Sequence, residues 1–294
     1  MICVRLDGGL GNQLFQYATG RALAFRHGCA LLLDSNRLDG AARKVTPRTF
    51  ELDHFRHQGR LASSLERKRL SWLPRVAPAS HWVSPWRTFV ERGPGYHASV
   101  ASLPDQTYLV GYWQSHRYFS HMAQTIADEL TPMRPLSAAS EQVARSAAQG
   151  MSVSVHVRRG DYVTLPAAAN LHGTLDREFY ASALDRVNKQ VGNARYFVFS
   201  DDIAWCRANL PLHHAETVFV DHNTGLDAWQ DLVLMAKCKH HIIANSSFSW
   251  WGAWLADQHQ GEAGHLVIAP ARWFAGQPEH DHRDRFPAHW IVQP

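Results

Sequence analysis

The sequence lacks an apolar run of the ~18 residues that are needed to cross a membrane as a helix. Met1 leads directly into the strand-like segment ICVRL without a basic stretch followed by an apolar one, so we expect no secretory signal. We therefore expect a cytoplasmic protein. Hydrophobic residues make up 45% of the chain and charged residues 19%, and this balance excludes a largely disordered protein.

Cysteine is scarce, and the four cysteines show no paired spacing, so we expect reduced core thiols and no disulfide. Histidine is abundant, with 19 residues, but none has the spacing of a His-Glu-x-x-His site or a convincing cysteine partner. We therefore predict no metal site. A net charge of +4 favours an anionic ligand but is too small to indicate a nucleic-acid partner.

The first 34 residues have the pattern of a β-turn-α-β unit. Ile2–Leu6 and Ala30–Asp34 read as strands, and Asn12–His27 carries apolar residues at helical spacing. The turn GGLGNQ resembles a dinucleotide fingerprint, with Asp34 as its acidic partner, but the third glycine is missing. An NAD-dependent oxidoreductase thus stays open as an alternative. The turn offers close backbone approach and two side-chain amides to a ligand, at Gly11, Asn12 and Gln13.

The middle of the chain is the hardest part to interpret, because prolines interrupt weak periodicity from residue 40 to 104. Basic and apolar residues alternate in segment 56–75. This pattern indicates either peripheral contact with the inner membrane surface or an anionic acceptor, or an ordinary solvated helix face. Pro132–Gln149 has no strong strand signal, and we expect the chain to cross between two domains there. The predicted domains are 1–145 and 146–275, followed by a tail at 276–294.

The second half alternates strands and helices. After a strand that begins at Met151, the predicted elements are a helix from Asp176, strands Tyr196–Phe199 and Val218–Val220, helix Leu226–Cys238, strand His241–Ala244, helix Phe248–Asp257 and strand Leu266–Ala269. Strands that alternate with helices through right-handed crossovers predict a parallel, doubly wound sheet. Together with the first unit, this predicts an α/β fold of two Rossmann-like lobes with a cleft between them.

The stretch Met151–Tyr162, MSVSVHVRRGDY, carries the clearest functional signal. Its period-two alternation predicts a strand that delivers His156 and Arg158 together at its carboxyl end, after which Gly160 allows a turn. Ligands bind at that end of an open α/β sheet, and a guanidinium there is suited to a phosphate. The alternative is a buried strand whose polar end is merely solvated.

A second signal is the turn Asn245-Ser246-Ser247, which separates a predicted strand from a predicted helix. Its amides and hydroxyls can face a diphosphate at the positive end of the helix, although a serine N-cap explains the same residues. Asp231 opens the preceding helix, where it can cap the helix or accept the paired N–H donors of guanine. We interpret Asp201-Asp202 as capping residues at a strand end, not as metal ligands.

These residues belong to longer segments by which the chain resembles the inverting alpha-1,2-fucosyltransferases of glycosyltransferase family 11, nearly from end to end. The matching segments are GGLGNQLFQYATGRALA, FELDHF, GYWQSHRYF, HVRRGDYV, FSDD, DLVLMAKCKHHIIANSSFSWWGAWL and VIAPARWF. The His-x-Arg-Arg element is shared with alpha-1,6- and protein O-fucosyltransferases, whereas LGNQLFQYA and ANSSFSWWGAWL are more specific. The resemblance implies a GT-B architecture and metal-independent, inverting transfer of fucose from GDP-fucose, without a cofactor.

The resemblance also implies roles for individual residues. GDP-fucose would bind mainly to the C-terminal lobe, through Arg158 at the β-phosphate, His156 and Asp231 at the guanosine, and Ser246, Ser247 and Phe248 at the diphosphate and fucose. Asn12 would approach the transferring centre from the N-terminal lobe, with Gly11 and Gln13 beside it. The resemblance does not settle which residue is the catalytic base. Asp161 and His172 are the candidates, and anchoring of the turn is the alternative role for Asp161.

The expected acceptor is the 2-hydroxyl of a terminal β-galactoside on a glycan, free or lipid-linked, and the expected product has an α-1,2 linkage. The non-enzymatic alternative is a protein that binds a nucleotide sugar without transferring it.

Overall fold

The computed structural model describes residues 1–38, 48–71, 86–93, 95–160, 173–212, 215–275 and 284–294. Within these ranges, no helix combines the length and the hydropathy that crossing a membrane requires. The chain divides into two compact units, Met1–Met133 and Arg134–Pro294, so the division lies 12 residues before the predicted one at 145. The structure does not test the roles that we predict for the two lobes.

The first unit is built on a parallel sheet of five strands in the order β3-β2-β1-β5-β4. The strands are β1 Ile2–Arg5, β2 Leu31–Asp34, β3 Arg60–Leu61, β4 Arg87–Val90 and β5 Thr107–Val110. The helices described in this unit are α1 Leu10–Arg26, α2 Ser64–Ser71 and α3 Ala123–Glu129. The β-turn-α-β unit predicted for the first 34 residues is therefore present, with β1, α1 and β2 as its parts.

The second unit contains a parallel sheet of six strands in the order β11-β10-β9-β6-β7-β8. Its strands are β6 Ser152–Val157, β7 Arg195–Ser200, β8 Thr217–Val220, β9 His240–Ile242, β10 Val267–Pro270 and β11 Ile291–Gln293. The helices described between and before them are α4 Ala138–Ala148, α5 Arg177–Val191, α6 Ile203–Asn209, α7 Trp229–Lys237 and α8 Ser247–Gln260.

Strand β6 lies inside the second sheet, paired with β7 on one edge and β9 on the other. All six of its residues are buried. Val153, Val155 and Val157 pack in a core cluster that includes Phe179 and Leu184 of α5. The alternation in this strand therefore distinguishes two buried faces, and it is only beyond Val157 that polar side chains reach the edge of the sheet.

Residues 138–148 and the end of the chain are among the regions that have no predicted element but are structured. Residues 138–148 form α4, whose N-cap Ser137 accepts a hydrogen bond from the amide of Ser140. The end of the predicted tail is also part of the second unit, because β11 pairs in parallel with β10. Strand β11 is too short to be recognised alone, and it forms because a neighbouring strand supplies its hydrogen-bond partners.

Asp257, near the end of α8, anchors this terminal strand. Its carboxylate accepts hydrogen bonds from Trp290 Nε1 at 2.7 Å and from His289 Nε2 at 3.0 Å, just before β11. His265 also bonds to it through Nδ1. Burial alone would raise the pKa of Asp257, but the hydrogen bonds from His265, Trp290 and His289 hold it below its ordinary value. Asp257 is therefore a buried carboxylate that joins α8 to the C-terminus.

The basic segment 56–75 is described only as far as residue 71. Arg60 pairs with Glu66 through two hydrogen bonds, at 2.6 and 2.9 Å, and both residues belong to this segment. The structure does not test contact with a membrane, which stays a prediction.

Candidate active site

Arg158 lies directly after β6 and pairs with Asp201, which follows the neighbouring strand β7. The distance from Arg158 Nη1 to Asp201 Oδ2 is 2.9 Å, and both side chains are about a quarter exposed, at 26% and 25%. The other oxygen of Asp201 accepts the backbone N–H of Arg159 at 2.8 Å. A Cβ on Gly160 would lie 2.6 Å from Asp201 Oδ2, so a larger residue here would displace the carboxylate. The carboxylate thus fixes the turn and the guanidinium together at the carboxyl edge of the sheet.

The next acidic residue, Asp202, has a structural role. It is the N-cap of α6 and accepts the amide N–H of Trp205 at 3.0 Å, as the capping interpretation predicts. Arg159 pairs with Asp202 at 3.3 Å, and its guanidinium lies 4.3 Å from the ring centre of Trp205. Arg159 therefore braces the start of α6, and Arg158 is the arginine placed at the edge of the sheet.

His156, the last but one residue of β6, is buried and only 5% exposed. Burial lowers its pKa to about 3, although Asp201 opposes the shift, so the imidazole is neutral at pH 7. Its Nδ1 atom has no hydrogen-bond partner among the described residues. The ring centres of His156 and Phe248 are 6.0 Å apart, so the structure brings together two residues that the resemblance implies at the donor.

The turn before α8 shows the capping arrangement. Ser246 is the N-cap, and its hydroxyl accepts the amide N–H of Phe248 at 3.4 Å. The Asn245 side chain is buried and donates to the backbone carbonyls of Gly173 and Trp273, so it holds the turn in place. Capping and phosphate binding use the same helix end, and a diphosphate role for Ser246 and Ser247 stays a prediction.

Asp231 lies in the first turn of α7, the helix that follows β8. Its carboxylate accepts a hydrogen bond from Asn223 Nδ2 at 2.8 Å. Burial raises its pKa to about 7, while the hydrogen bond from Asn223 acts in the opposite direction. A carboxylate shielded from water forms stronger hydrogen bonds with the N–H donors of a ligand than an exposed carboxylate does.

In the first unit, the turn between β1 and α1 positions Asn12. Gly8 has a φ of +82°, and a Cβ at this position would lie 2.5 Å from Asn12 Nδ2. Asn12 Oδ1 accepts a hydrogen bond from Gln114 Nε2 at 2.9 Å. Gln114 follows β5, which pairs directly with β1, so two neighbouring strands place the two amides at one edge of the sheet.

Gln114 itself is held by an unusual backbone turn. Trp113 is fully buried and has a φ of +58°, a left-handed conformation that is rare for a bulky residue. The carboxylate of Glu91 stabilises the turn by accepting the amide N–H groups of Tyr112 and Trp113, at 2.6 and 3.0 Å. Such outliers persist where the surrounding structure enforces them, often at functional sites. Glu91 and Gln114 are absent from the sequence-based set, and GYWQSHRYF is the segment that signals Gln114.

The structure does not place the side chain of Gln13 where a substrate could contact it. Its side chain is fully buried, and its amide nitrogen donates to the carbonyls of Gly8 and Thr49, at 3.1 and 2.9 Å. Its oxygen accepts the N–H of Glu51 at 3.0 Å. Gln13 therefore ties the glycine turn to residues 49–51. Gly11, also predicted beside the ligand, is buried in the first turn of α1.

The same region argues against the NAD alternative. A pyrophosphate would need the amides at the start of α1, but the Glu51 carboxylate accepts the N–H of Leu10 there. Asp34, the expected ribose ligand, is buried and accepts a hydrogen bond from the Tyr108 hydroxyl at 2.7 Å. Both positions that a dinucleotide would occupy are thus engaged by groups of the protein.

Asp161 and His172, the candidate bases, lie outside the described residues and stay predictions. Across the described ranges, no group of three or more His, Cys, Asp or Glu side chains is arranged to hold a metal ion.

Two units, each built on a parallel sheet with polar side chains gathered after the strands, define an α/β protein and confirm the predicted GT-B type of fold with two Rossmann-like lobes. The profile of Glycosyl transferase family 11 matches residues 91–293. The chain therefore belongs to glycosyltransferase family 11 and is a glycosyltransferase, and the resemblance described above is confirmed.

The relatives of this chain span bacterial and animal enzymes. It is 32% identical over 299 residues to an alpha-1,2-colitosyltransferase of Escherichia coli, covering 99% of this chain and 98% of that protein. It is 27% identical over 263 residues to the galactoside 2-alpha-L-fucosyltransferase SEC1 of Bos taurus, covering 86% of this chain and 64% of that protein. Among solved structures, a fucosyltransferase NodZ from Bradyrhizobium is similar with a TM-score of 0.49 and 15% identity, over 85% of this chain and 92% of that one.

Proposed function

We propose that this glycosyltransferase moves fucose from GDP-fucose to the 2-hydroxyl of a terminal β-galactoside, with inversion and without a metal. The observation that carries the proposal is the Arg158–Asp201 pair at the carboxyl edge of the second sheet, where a guanidinium is held ready for a phosphate. The name of the bovine relative, a galactoside 2-alpha-L-fucosyltransferase, supports the sugar, the acceptor and the linkage.

The chemistry follows from charge development at the donor. The acceptor oxygen attacks C1 of fucose, and the bond from C1 to the β-phosphate oxygen breaks through an oxocarbenium-like state. GDP leaves with the bonding electrons, and Arg158 and the amino end of α8 stabilise the charge that builds on its β-phosphate. A single displacement of this kind inverts the configuration at C1.

The hydroxyl proton must pass to a base as the new bond forms. Asp161 and His172 remain the proposed candidates. In the first unit, Asn12 is oriented by Gln114 and can hydrogen-bond an acceptor hydroxyl, which assists positioning but not proton removal.

The name of the Escherichia coli relative, an alpha-1,2-colitosyltransferase, supports a second candidate, transfer of colitose in the same α-1,2 linkage. Colitose is fucose without its 3-hydroxyl, so the two donors share GDP and differ at one position of the sugar ring. The acceptor is a galactose-terminated glycan, and a lipid-linked form of it would place the enzyme at a membrane surface, where segment 56–75 is the proposed contact.

The test is to incubate the purified chain with GDP-fucose or GDP-colitose and a panel of galactosides, and to measure GDP release and product linkage. We expect galactoside-dependent GDP release and an α-1,2 product, with no product from a 2-deoxygalactoside. A non-catalytic binder would bind GDP-fucose without releasing GDP when galactosides are added. Loss of activity in a chelator, restored by manganese, would overturn the metal-free proposal.

A further inference from the structure

A directed chain of hydrogen bonds ends on the carboxylate of Asp231. Asn223 Nδ2 donates to Asp231 Oδ1 at 2.8 Å, and the Ser140 hydroxyl donates to Asn223 Oδ1 at 3.1 Å. His222 Nε2 lies 3.0 Å from the same hydroxyl oxygen. A hydroxyl has one proton and it is used toward Asn223, so His222 must be the donor in this last contact.

This chain leaves only one sensible orientation for the amide of Asn223. With the amide flipped, its carbonyl oxygen would face the ionised carboxylate of Asp231, and two acceptor oxygens cannot form a hydrogen bond. Each member therefore donates toward Asp231, and the carboxylate receives the final N–H.

The elements that carry these residues are joined to one another. Ser140, which is fully buried, belongs to α4, while Asn223 follows β8 and Asp231 opens α7. The amide of Ser137, the N-cap of α4, donates to the Gln230 side chain at 2.8 Å, next to Asp231 in sequence. Two independent links thus hold α4 against the start of α7, so Asn223 acts from a fixed position.

We infer that Asn223 is a positioning residue for the nucleobase: it holds one oxygen of Asp231 so that the carboxylate presents a fixed edge to the paired N–H donors of guanine. This inference rests on the proposed function, with GDP-fucose as the donor, and on the role at the guanosine that the resemblance implies for Asp231. If the carboxylate could rotate freely, it would less often accept hydrogen bonds from guanine N1–H and the 2-amino group at the same time. The second hydrogen bond, from the 2-amino group, would then contribute less to the affinity. Asn223 therefore contributes to the distinction between guanine and hypoxanthine, which differ only in that group.

The test compares the affinities of the full chain for GDP and for inosine diphosphate, measured by calorimetry at fixed salt and at pH 8. The unmodified protein should bind GDP about tenfold or more tightly than inosine diphosphate, the range expected for one charge-assisted hydrogen bond. Asn223→Ala should remove most of this preference, mainly through weaker GDP binding, and Asn223→Asp, which has the same shape, should do the same. Ser140→Ala should reduce the preference by a smaller factor.

The matched control is Asn209→Ala. Asn209 donates a hydrogen bond to the backbone carbonyl of Trp205 at the end of α6, and this bond does not involve Ser140, Asn223 or Asp231. It should leave both affinities unchanged. Asp231→Asn separates the inference from the proposed function. If that variant keeps the full preference for GDP, the assignment of Asp231 to guanine fails. If Asp231→Asn abolishes the preference while both Asn223 variants and Ser140→Ala retain it, guanine binding stands and the inference about Asn223 is overturned.

Discussion

The guanidinium of Arg158 lies 2.9 Å from the carboxylate of Asp201, although 43 positions separate the two residues in the chain. Strands β6 and β7 pair in parallel with Val157 opposite Ser200, so the residues that follow them emerge side by side. Asp201 both orients the arginine and, through the N–H of Arg159, shapes the turn. An incoming phosphate would meet a guanidinium that is already oriented, which lowers the cost of ordering it on binding.

Arg158→Ala should reduce transfer by about 100-fold or more, because a preplaced charge at a leaving group contributes on that scale. Arg158→Lys should give an intermediate rate, since an ammonium keeps the charge but loses the planar pair of donors. The unfolding free energy should change by no more than ~1 kcal/mol, because the ion pair is partly exposed. Turnover and thermal unfolding are the measurements, and Arg145→Ala on the exposed face of α4 is the control. Normal turnover in Arg158→Ala would contradict the assignment of Arg158 to the β-phosphate.

The raised pKa of Asp231 predicts a pH dependence for both stability and nucleotide binding. Between about pH 4 and pH 7 the unfolded chain loses this proton and the folded chain keeps it, so the buried group increasingly opposes folding as the pH rises. Asp231→Asn should therefore gain stability relative to the unmodified protein across this range, by up to about 1.4 kcal/mol per pH unit. Urea unfolding at pH 4.5 and pH 8 measures this difference.

Guanine's N–H donors prefer the ionised carboxylate, so GDP binding should weaken as the pH falls below about 7 in the unmodified protein. The Asp231→Asn variant should bind more weakly and lack this titration. An identical pH profile in the two proteins would show that Asp231 is not the titrating group.

Gly8→Ala and Gly28→Ala form a matched pair that tests the placement of Asn12. Both glycines have positive φ, at +82° and +56°, so both substitutions should cost roughly 1–2 kcal/mol in backbone strain. Only at Gly8 would the new Cβ collide with Asn12, while nothing lies within 4 Å of the site at Gly28. We expect both variants to lose stability, Gly8→Ala somewhat more because of the collision, and only Gly8→Ala to lose transfer activity per folded molecule. Equal activities would show that the position of Asn12 does not matter for the reaction.

Asp257→Asn should destabilise the second unit by ~3–5 kcal/mol, the range for removing one partner of a buried charged network. Asp257 has a lowered pKa, so its contribution is present above the pKa of the unfolded chain and is lost as the pH falls through the folded value. The stability difference between variant and unmodified protein should therefore shrink in strong acid. Denaturant unfolding measures it, with Asp185→Asn in the exposed pair with Lys189 as the control that should stay within about 0.5 kcal/mol.

Local signals in the sequence were sufficient for much of the fold. Asp176 caps α5 by accepting the amide N–H of Phe179 at 2.9 Å, and β6 ends just before Arg158, as the alternation of the strand indicates. These features depend on neighbours only a few residues away. Strand β11 and helix α4 escaped prediction for the opposite reason, because a partner strand or a packed neighbour distant in the sequence stabilises them.

The sequence by itself determined the first β-turn-α-β unit, most strands and helices of the second unit, and the residues that reach the carboxyl edges of these strands. The tertiary structure decided what each of these residues does there. Gln13 and Asn12 are adjacent and chemically alike, yet Gln13 points into the protein to bind backbone while Asn12 meets Gln114, 102 positions away. Likewise Asp201 became the partner of Arg158, and burial set the pKa of Asp231. Hydrogen-bond partners and desolvation arise between residues that are far apart in the chain, so they exist only once the sheets have formed.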